Sequence, residues 1–257
     1  MKLEDAVIIL SRPSEPGNVG AVCRVMMNMG LSRLRIVCGK EGEEANPAFP
    51  GGKPEAGSRE DLPVRARAVH AERIWEESTF YNSLEEAAAD LSLLVGTTRR
   101  RGRGRKQVSM DPRELASFLR ERPGGSVGIV FGNERFGLDD AELKLCSFAS
   151  HIPADERFPS LNLSHAVQIY AWELLMAEPA ESRAVKGHWE PISMDAAKKL
   201  TFSISSALEK LGFYRHPGRE EQERFIRDLI LRAGLSENEA RYFKDIMVKA
   251  GRMGREE

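Results

Sequence analysis

Val127-Gly-Ile-Val-Phe-Gly-Asn-Glu-Arg-Phe-Gly-Leu138 decides the fold class, because a short apolar run passes directly into a polar loop bounded by two glycines. A run of this length, rich in branched and aromatic side chains, reads as a strand buried on both faces. Gly132 after it permits a ligand to approach the backbone, and Gly137 permits a tight turn before a helix that Asp139 or Asp140 opens. The same grammar recurs on either side. Upstream, Ala6–Leu10 is a strand, 11–17 a polar turn, and Val19–Met29 a helix stopped at Gly30. Leu34–Cys38 is the next strand, Val64–Glu77 a helix, and Leu84–Asp90 a short helix opened by the pair Ser83 and Glu86. Leu91–Val95 is another buried strand, Asp111, Pro112 and Glu114 start a helix, and Phe148–Ile152 is the last strand. Strands alternating with helices through Met176 predict an α/β fold with a mostly parallel sheet covered on both faces.

Two stretches break the pattern. Between Gly39 and Pro63 stand Pro47, Pro50, Pro54 and Pro63 with several glycines, which predicts an irregular excursion. From 178 to 191 the chain turns polar and aperiodic, which predicts a linker between residues 1–177 and a helical module at 192–257. In that module Ser193–Leu211 stops at Gly212, Pro217–Ala233 stops at Gly234, and Ser236 with Glu239 caps a helix reaching about Ala250.

Composition narrows the class of protein. The 257 residues are 41% hydrophobic and 30% charged with a net charge of −1, so any attraction to a polyanion must be local. Cys23, Cys38 and Cys146 form no CxxC pair and the five histidines show no metal-ligand spacing, which argues for a reducing compartment and against a disulfide framework or a metal site. No stretch approaches the roughly 18 apolar residues of a membrane helix, so a cytoplasmic protein is expected. No GxGxxG follows a strand and no Lys-Ser/Thr follows Gly137, which disfavours a dinucleotide enzyme and a P-loop enzyme.

Three polar segments sit where strands end, the edge at which open parallel sheets bind ligands. In 15–24, Asn18 before a helix can cap it, the free amides there suit an anion, and Arg24 projects about two turns later. The alternative is an N-cap with a solvated arginine. In 130–138, Glu134 and Arg135 can bond a polar ligand or each other. In 152–164, Ser160 and Asn162 precede a long helix whose capping explains only one of them, and both offer donors and acceptors to a ligand. A fourth segment, Arg99–Lys106, holds six basic residues in eight and suits either an RNA backbone or plain solvation.

Taken jointly, the first three segments resemble the motifs of SPOUT-superfamily ribose 2′-O-methyltransferases of the SpoU/TrmH type. Asn18, Gly20 and Arg24 match N-x-G-x-x-x-R; Phe131, Gly132, Glu134, Gly137 and Leu138 match F-G-x-E-x-x-G-L; 160–167 matches S-L-N-L-x-x-A-V. The segment LEKLGFYRHPG at 208–218 is similar to the helical extension of the TrmJ branch, so the resemblance spans nearly the whole chain. It implies a trefoil knot at the C-terminal edge of the sheet, although true knots are exceptional, and a homodimer with cofactor sites at the subunit interface. It implies S-adenosylmethionine held by Thr97, Thr98, Gly132, Ile152, Pro159, Ser160 and Leu161. Arg24 would act on the ribose, with Asn18, Glu134, Ser160 and Asn162 shaping the site. A guanidinium is effectively never deprotonated, so Arg24 is expected to position rather than to act as a base. The implied substrate is RNA, first a pyrimidine ribose at position 32 in the anticodon loop of tRNA; ribosomal RNA, or an inert RNA-binding relative, is the alternative. Asn133 stands where the family often has arginine.

Overall fold

The computed structural model describes residues 1–39, 48–99, 109–178, 190–214 and 218–253. The basic loop beyond Arg99, the linker at 179–189, residues 40–47 of the excursion and Pro217 lie outside the described residues.

The five expected strands and two short ones that the sequence did not announce form one sheet in which every pairing is parallel. Its members are β1 (Ala6–Ser11), β2 (Arg33–Val37), β3 (Thr79–Tyr81), β4 (Leu93–Thr97), β5 (Ser109–Met110), β6 (Val127–Phe131) and β7 (Phe148–Ser150), of which β3 and β5 are the unexpected ones, and they lie in the order β3-β2-β1-β6-β4-β7-β5. Side-chain alternation splits the core in two, as a sheet buried on both faces requires. Ile8, Leu10, Val95, Ile129 and Phe131 pack with α1 (Pro16–Asn28), α5 (Pro112–Glu121) and α7 (Leu163–Ala177). Val7, Ile9, Leu94 and Val130 pack with α4 (Leu84–Ala88) and α6 (Asp140–Leu145) on the other face.

Several boundaries differ from the sequence expectation. The helix expected over 64–77 is two, α2 (Asp61–Ala68) and α3 (Glu72–Glu76), because Val69 and His70 both take positive φ (41° and 70°) and end the first. The excursion ends earlier than Pro63, which stands in the first turn of α2, where a missing N–H is tolerated. Its described part, from residue 48, is pinned by specific contacts. Asp61, 1% exposed, accepts from Gly57 N, Arg65 Nε and Trp75 Nε1, each at 2.7 Å, and Phe49 packs on Trp75 and Phe80. The strand expected at Leu91–Val95 starts two residues later: Leu91 is buried in the preceding turn and Ser92 N donates to Ser126 O at 2.9 Å. The last strand stops at Ser150 instead of Ile152.

After residue 190 come α8 (Met194–Lys210), α9 (Arg219–Ala233) and α10 (Glu237–Met253). Ser193 caps α8, Gly234 ends α9 at φ 64°, and Ser236 with Glu239 forms the reciprocal cap of α10. They are fastened to the sheet unit. Arg122, 8% exposed, donates from Nη1 to Leu231 O at 3.0 Å, at the negative end of α9. Asp195 N donates to Ala89 O at 3.1 Å.

Candidate functional site

The sheet order changes direction between β1 and β6, and loops leaving the strands there face one crevice. A hydrogen-bonded web fills it. Asn133 Nδ2 donates to Arg12 O at 2.7 Å. Glu134 accepts from Ser14 N (2.7 Å) and Ser14 Oγ (2.8 Å) on one oxygen and from Asn18 Nδ2 (2.9 Å) on the other. Asn162 Nδ2 donates in turn to Asn18 Oδ1 at 3.0 Å, and Asn162 Oδ1 accepts from Ser164 N at 2.9 Å, capping α7. Asn18, Glu134 and Asn162 therefore form one chain across three motifs.

Beside the web lies a cleft walled by the loops after β4, β6 and β7, three adjacent strands. Thr97, Thr98, Gly132, Ile152, Pro159, Ser160 and Leu161 all line it, as does Glu134. Its floor includes Phe131 and Tyr170, ring centroids 5.4 Å apart in an edge-on contact. Burial pushes the Tyr170 phenol above its ordinary pKa, against a hydrogen bond to Ser150 Oγ at 2.9 Å.

Two sequence expectations need correction. Asn18 is not the cap of α1: Pro16 occupies the first helical position, Glu15 precedes it, and Asn18 lies inside the first turn, which frees its amide to reach Glu134. Glu134 does not bond Arg135; its acceptors are taken by Ser14 and Asn18. Capping of α7 falls to Asn162 alone, in keeping with the expectation that only one of Ser160 and Asn162 serves as the cap. The motif glycines also answer to the protein itself. A Cβ on Gly20 would sit 2.0 Å from Val64 O of α2, and one on Gly132 would sit 2.2 Å from Gly137 C and Leu138 N.

Arg24 stands apart. It is exposed on α1, absent from the cleft lining, and makes no hydrogen bond or ion pair among the described residues. The sequence reading missed Ser14 and Arg12. Arg12 takes φ 50°, a left-handed conformation costing on the order of 1–2 kcal/mol for a non-glycine residue. Its guanidinium reaches Asp139 at 2.8 Å and Glu142 at 2.7 Å, while Glu142 also bonds Ser11 Oγ. These contacts lock the β1 loop to the start of α6, and a polar run before Pro16 was the only signal of them.

Among the described residues, no group of three or more His, Cys, Asp or Glu is placed to hold a metal ion, and no helix is long and apolar enough to cross a membrane.

The SpoU rRNA Methylase family model matches residues 5–172. The chain is 36% identical over 194 residues to the tRNA (cytidine-2′-O-)-methyltransferase TrmJ of Methanocaldococcus jannaschii, covering 75% of this chain and 74% of that one. It is 31% identical over 250 residues to the tRNA (cytidine/uridine-2′-O-)-methyltransferase TrmJ of Pectobacterium atrosepticum, covering 95% and 96%. The crystal structure of TrmJ from Z. mobilis ZM4 matches with a TM-score of 0.71 at 26% identity, over 95% of this chain and 98% of that one.

Proposed function

The chain belongs to the SpoU rRNA methylase family, and from that premise we propose that it transfers a methyl group from S-adenosylmethionine to a ribose 2′-hydroxyl of tRNA. The convergence of the second and third motif loops on one cleft, with Asn18 of the first hydrogen-bonded to both, carries this reading. The target in our reading is a pyrimidine ribose of the anticodon loop, in the cytoplasm; support comes from the TrmJ relatives, whose names specify cytidine or uridine in tRNA.

The cleft suits a nucleoside-like cofactor. Its walls mix the apolar Phe131, Leu138 and Leu161 with the hydroxyls of Thr97, Thr98 and Ser160, and Thr97 Oγ1 is already engaged with Val130 O at 2.8 Å. When bound, the cofactor supplies a methyl group on a good leaving sulfonium. Much of the rate then rests on aligning the ribose oxygen. Thr97, Thr98, Gly132, Ile152, Pro159, Ser160 and Leu161 would hold the cofactor, while Asn18, Glu134 and Asn162 keep its walls in register. Glu134 is a buttress in this scheme, because both of its oxygens already accept hydrogen bonds.

We place Arg24 in the neighbouring subunit's reaction. Arg24 and the exposed Met27 lie about one turn apart on α1, and α7, packed on α1, exposes Trp172 and Met176. A second copy covering this apolar surface would form a homodimer and bring Arg24 of the partner subunit to the cleft, where its permanent charge grips the phosphate beside the target ribose. We further propose that the chain is knotted as a trefoil at the C-terminal edge of the sheet, and that 1–177 and 192–257 are separate domains joined by 178–191.

Incubation with labelled S-adenosylmethionine and total small RNA, followed by mapping of the methylated nucleotide, tests the reaction. Label in ribosomal RNA but not tRNA overturns the substrate. Arg24→Ala should abolish transfer and leave cofactor binding by calorimetry intact; lost binding refutes its assigned role.

A further inference from the structure

Glu134-Arg135-Phe136 and Glu156-Arg157-Phe158 repeat one triplet on the two lips of the cleft. Phe136 is 71% exposed and Phe158 80% exposed, although a phenylalanine is ordinarily among the most buried residues. Phe136 and Arg135 line the cleft on the β6 side; Phe158 directly precedes Pro159 and Ser160, which line the opposite wall.

Neither ring rides on slack backbone. Asn133 Oδ1 accepts from Arg135 N at 2.9 Å and Phe136 N at 3.3 Å, and Gly137 N closes the loop on Asn133 O at 2.7 Å. On the other lip Phe158 N donates to Asp155 O at 3.0 Å and Arg157 N donates to Asp155 Oδ1 at 2.9 Å. Rings presented by pre-formed turns lose little freedom on binding.

The charges say what would cover them. Arg157 is neutralised by Asp155 at 2.9 Å, but the Arg135 guanidinium has no partner among the described residues, and Arg99 also stands at the cleft. An unneutralised guanidinium beside a solvent-facing ring fits a phosphate next to an unstacked base. Two rings on opposite lips, separated by polar loops, are not the contiguous apolar patch that a protein partner needs.

We infer that Phe136 and Phe158 are stacking platforms for unpaired bases of the RNA substrate, the target nucleotide and a neighbour, with Arg135 on the intervening phosphate. The inference rests on the methyltransferase reading above. It restricts the substrate to a loop or single strand, since bases inside a helix cannot stack on protein rings.

Methyl transfer to in vitro transcribed tRNAs, with S-adenosylmethionine affinity measured by calorimetry, tests it on Phe136→Ala, Phe158→Ala, Phe136→Trp and Phe136→Leu. Alanine at either position should raise the KM for RNA at least about five-fold, the scale of one lost base stack. Cofactor affinity and the melting temperature should stay at wild-type values. Tryptophan should keep the wild-type KM and leucine should behave as alanine. Rescue by leucine would overturn stacking in favour of a plain apolar contact. Weaker cofactor binding in the alanine variants would assign the rings to the cofactor pocket, and a changed elution volume to a subunit contact. Wild-type protein that transfers to RNA while both alanine variants match it overturns this inference alone; wild-type protein that transfers to no RNA removes the enzyme reading as well.

Discussion

Gly132 and Gly137 stand five residues apart in one loop and should fail in different ways when given a side chain. At Gly132 an added Cβ meets Gly137 C and Leu138 N at 2.2 Å and Gly137 O at 2.6 Å. All three are backbone atoms, so the loop has to move. That movement strains the bond from Gly137 N to Asn133 O and displaces Leu138, 5% exposed in the core. Overpacking costs about 1–3 kcal/mol and a lost hydrogen bond about 1 kcal/mol, which puts Gly132→Ala at about 2–4 kcal/mol. At Gly137 nothing lies within 4 Å of an added Cβ, and the cost is the left-handed backbone alone (φ 74°), about 1–2 kcal/mol. Urea unfolding of both variants, compared at constant m-value, reads the difference. Calorimetric titration with S-adenosylmethionine gives a second reading: Gly132→Ala should lose affinity at concentrations that saturate Gly137→Ala. Equal destabilisation of the two variants would refute the argument that Gly132 is required by the returning backbone.

Burial alone would raise the Asp61 carboxyl, yet hydrogen bonds from Gly57 N, Trp75 and Arg65 hold it below its ordinary pKa. Its contribution to stability is therefore present above the unfolded-state value, about 3.9, and is lost as pH falls through the lower folded value. Asp61→Asn should be less stable than wild type at neutral pH and should lose less stability on acidification to pH 3, as followed by thermal melts. Burial pushes the Cys23 thiol up to about 12. At pH 8 a disulfide-exchange reagent should leave Cys23 unreacted in the native protein and titrate it in denaturant, while Cys38, half-buried at the end of β2, reacts first.

The parts of the fold that a sequence can carry locally were legible. Asp111 with Glu114, Asp139 with Glu142, and Ser236 with Glu239 each close a reciprocal cap across three residues. Ser83 accepts from Glu86 N as expected, but the Glu86 carboxylate turns to Asn82 N instead of Ser83 N. What distance decides was not legible. The two-residue β5 exists only because Ser109 and Met110 meet Ala149 and Ser150, and nothing within its own length marks it as a strand. The break at Val69 and His70 contradicts the helical periodicity on both sides. Arg12 reads as a loop arginine until its carboxylate partners arrive from 127 and 130 residues away. At the site, the capping of α7 was legible because it is local, whereas the bonds that tie Asn18 to Glu134 and Asn162 were not, since they join separate loops.

Those duties separate the site into two mechanical classes. Gly20 admits α2, Gly132 admits its own loop, Asn162 caps α7, and Asn18 with Glu134 and Ser14 ties the β1 loop to the β6 loop. Each is satisfied by protein groups, with little bonding capacity left for a substrate. Arg24, Arg135, Phe136, Phe158 and Ser160 are the reverse: exposed, and free of the web that holds the loops. The web sets where the cleft walls stand, so a defect within it displaces every group on those walls together. Substitutions in the web should therefore weaken cofactor and RNA binding jointly and lower stability. Substitutions in the exposed set should affect one function each at constant stability. The division follows from where the hydrogen bonds are already spent, and no motif comparison supplies it.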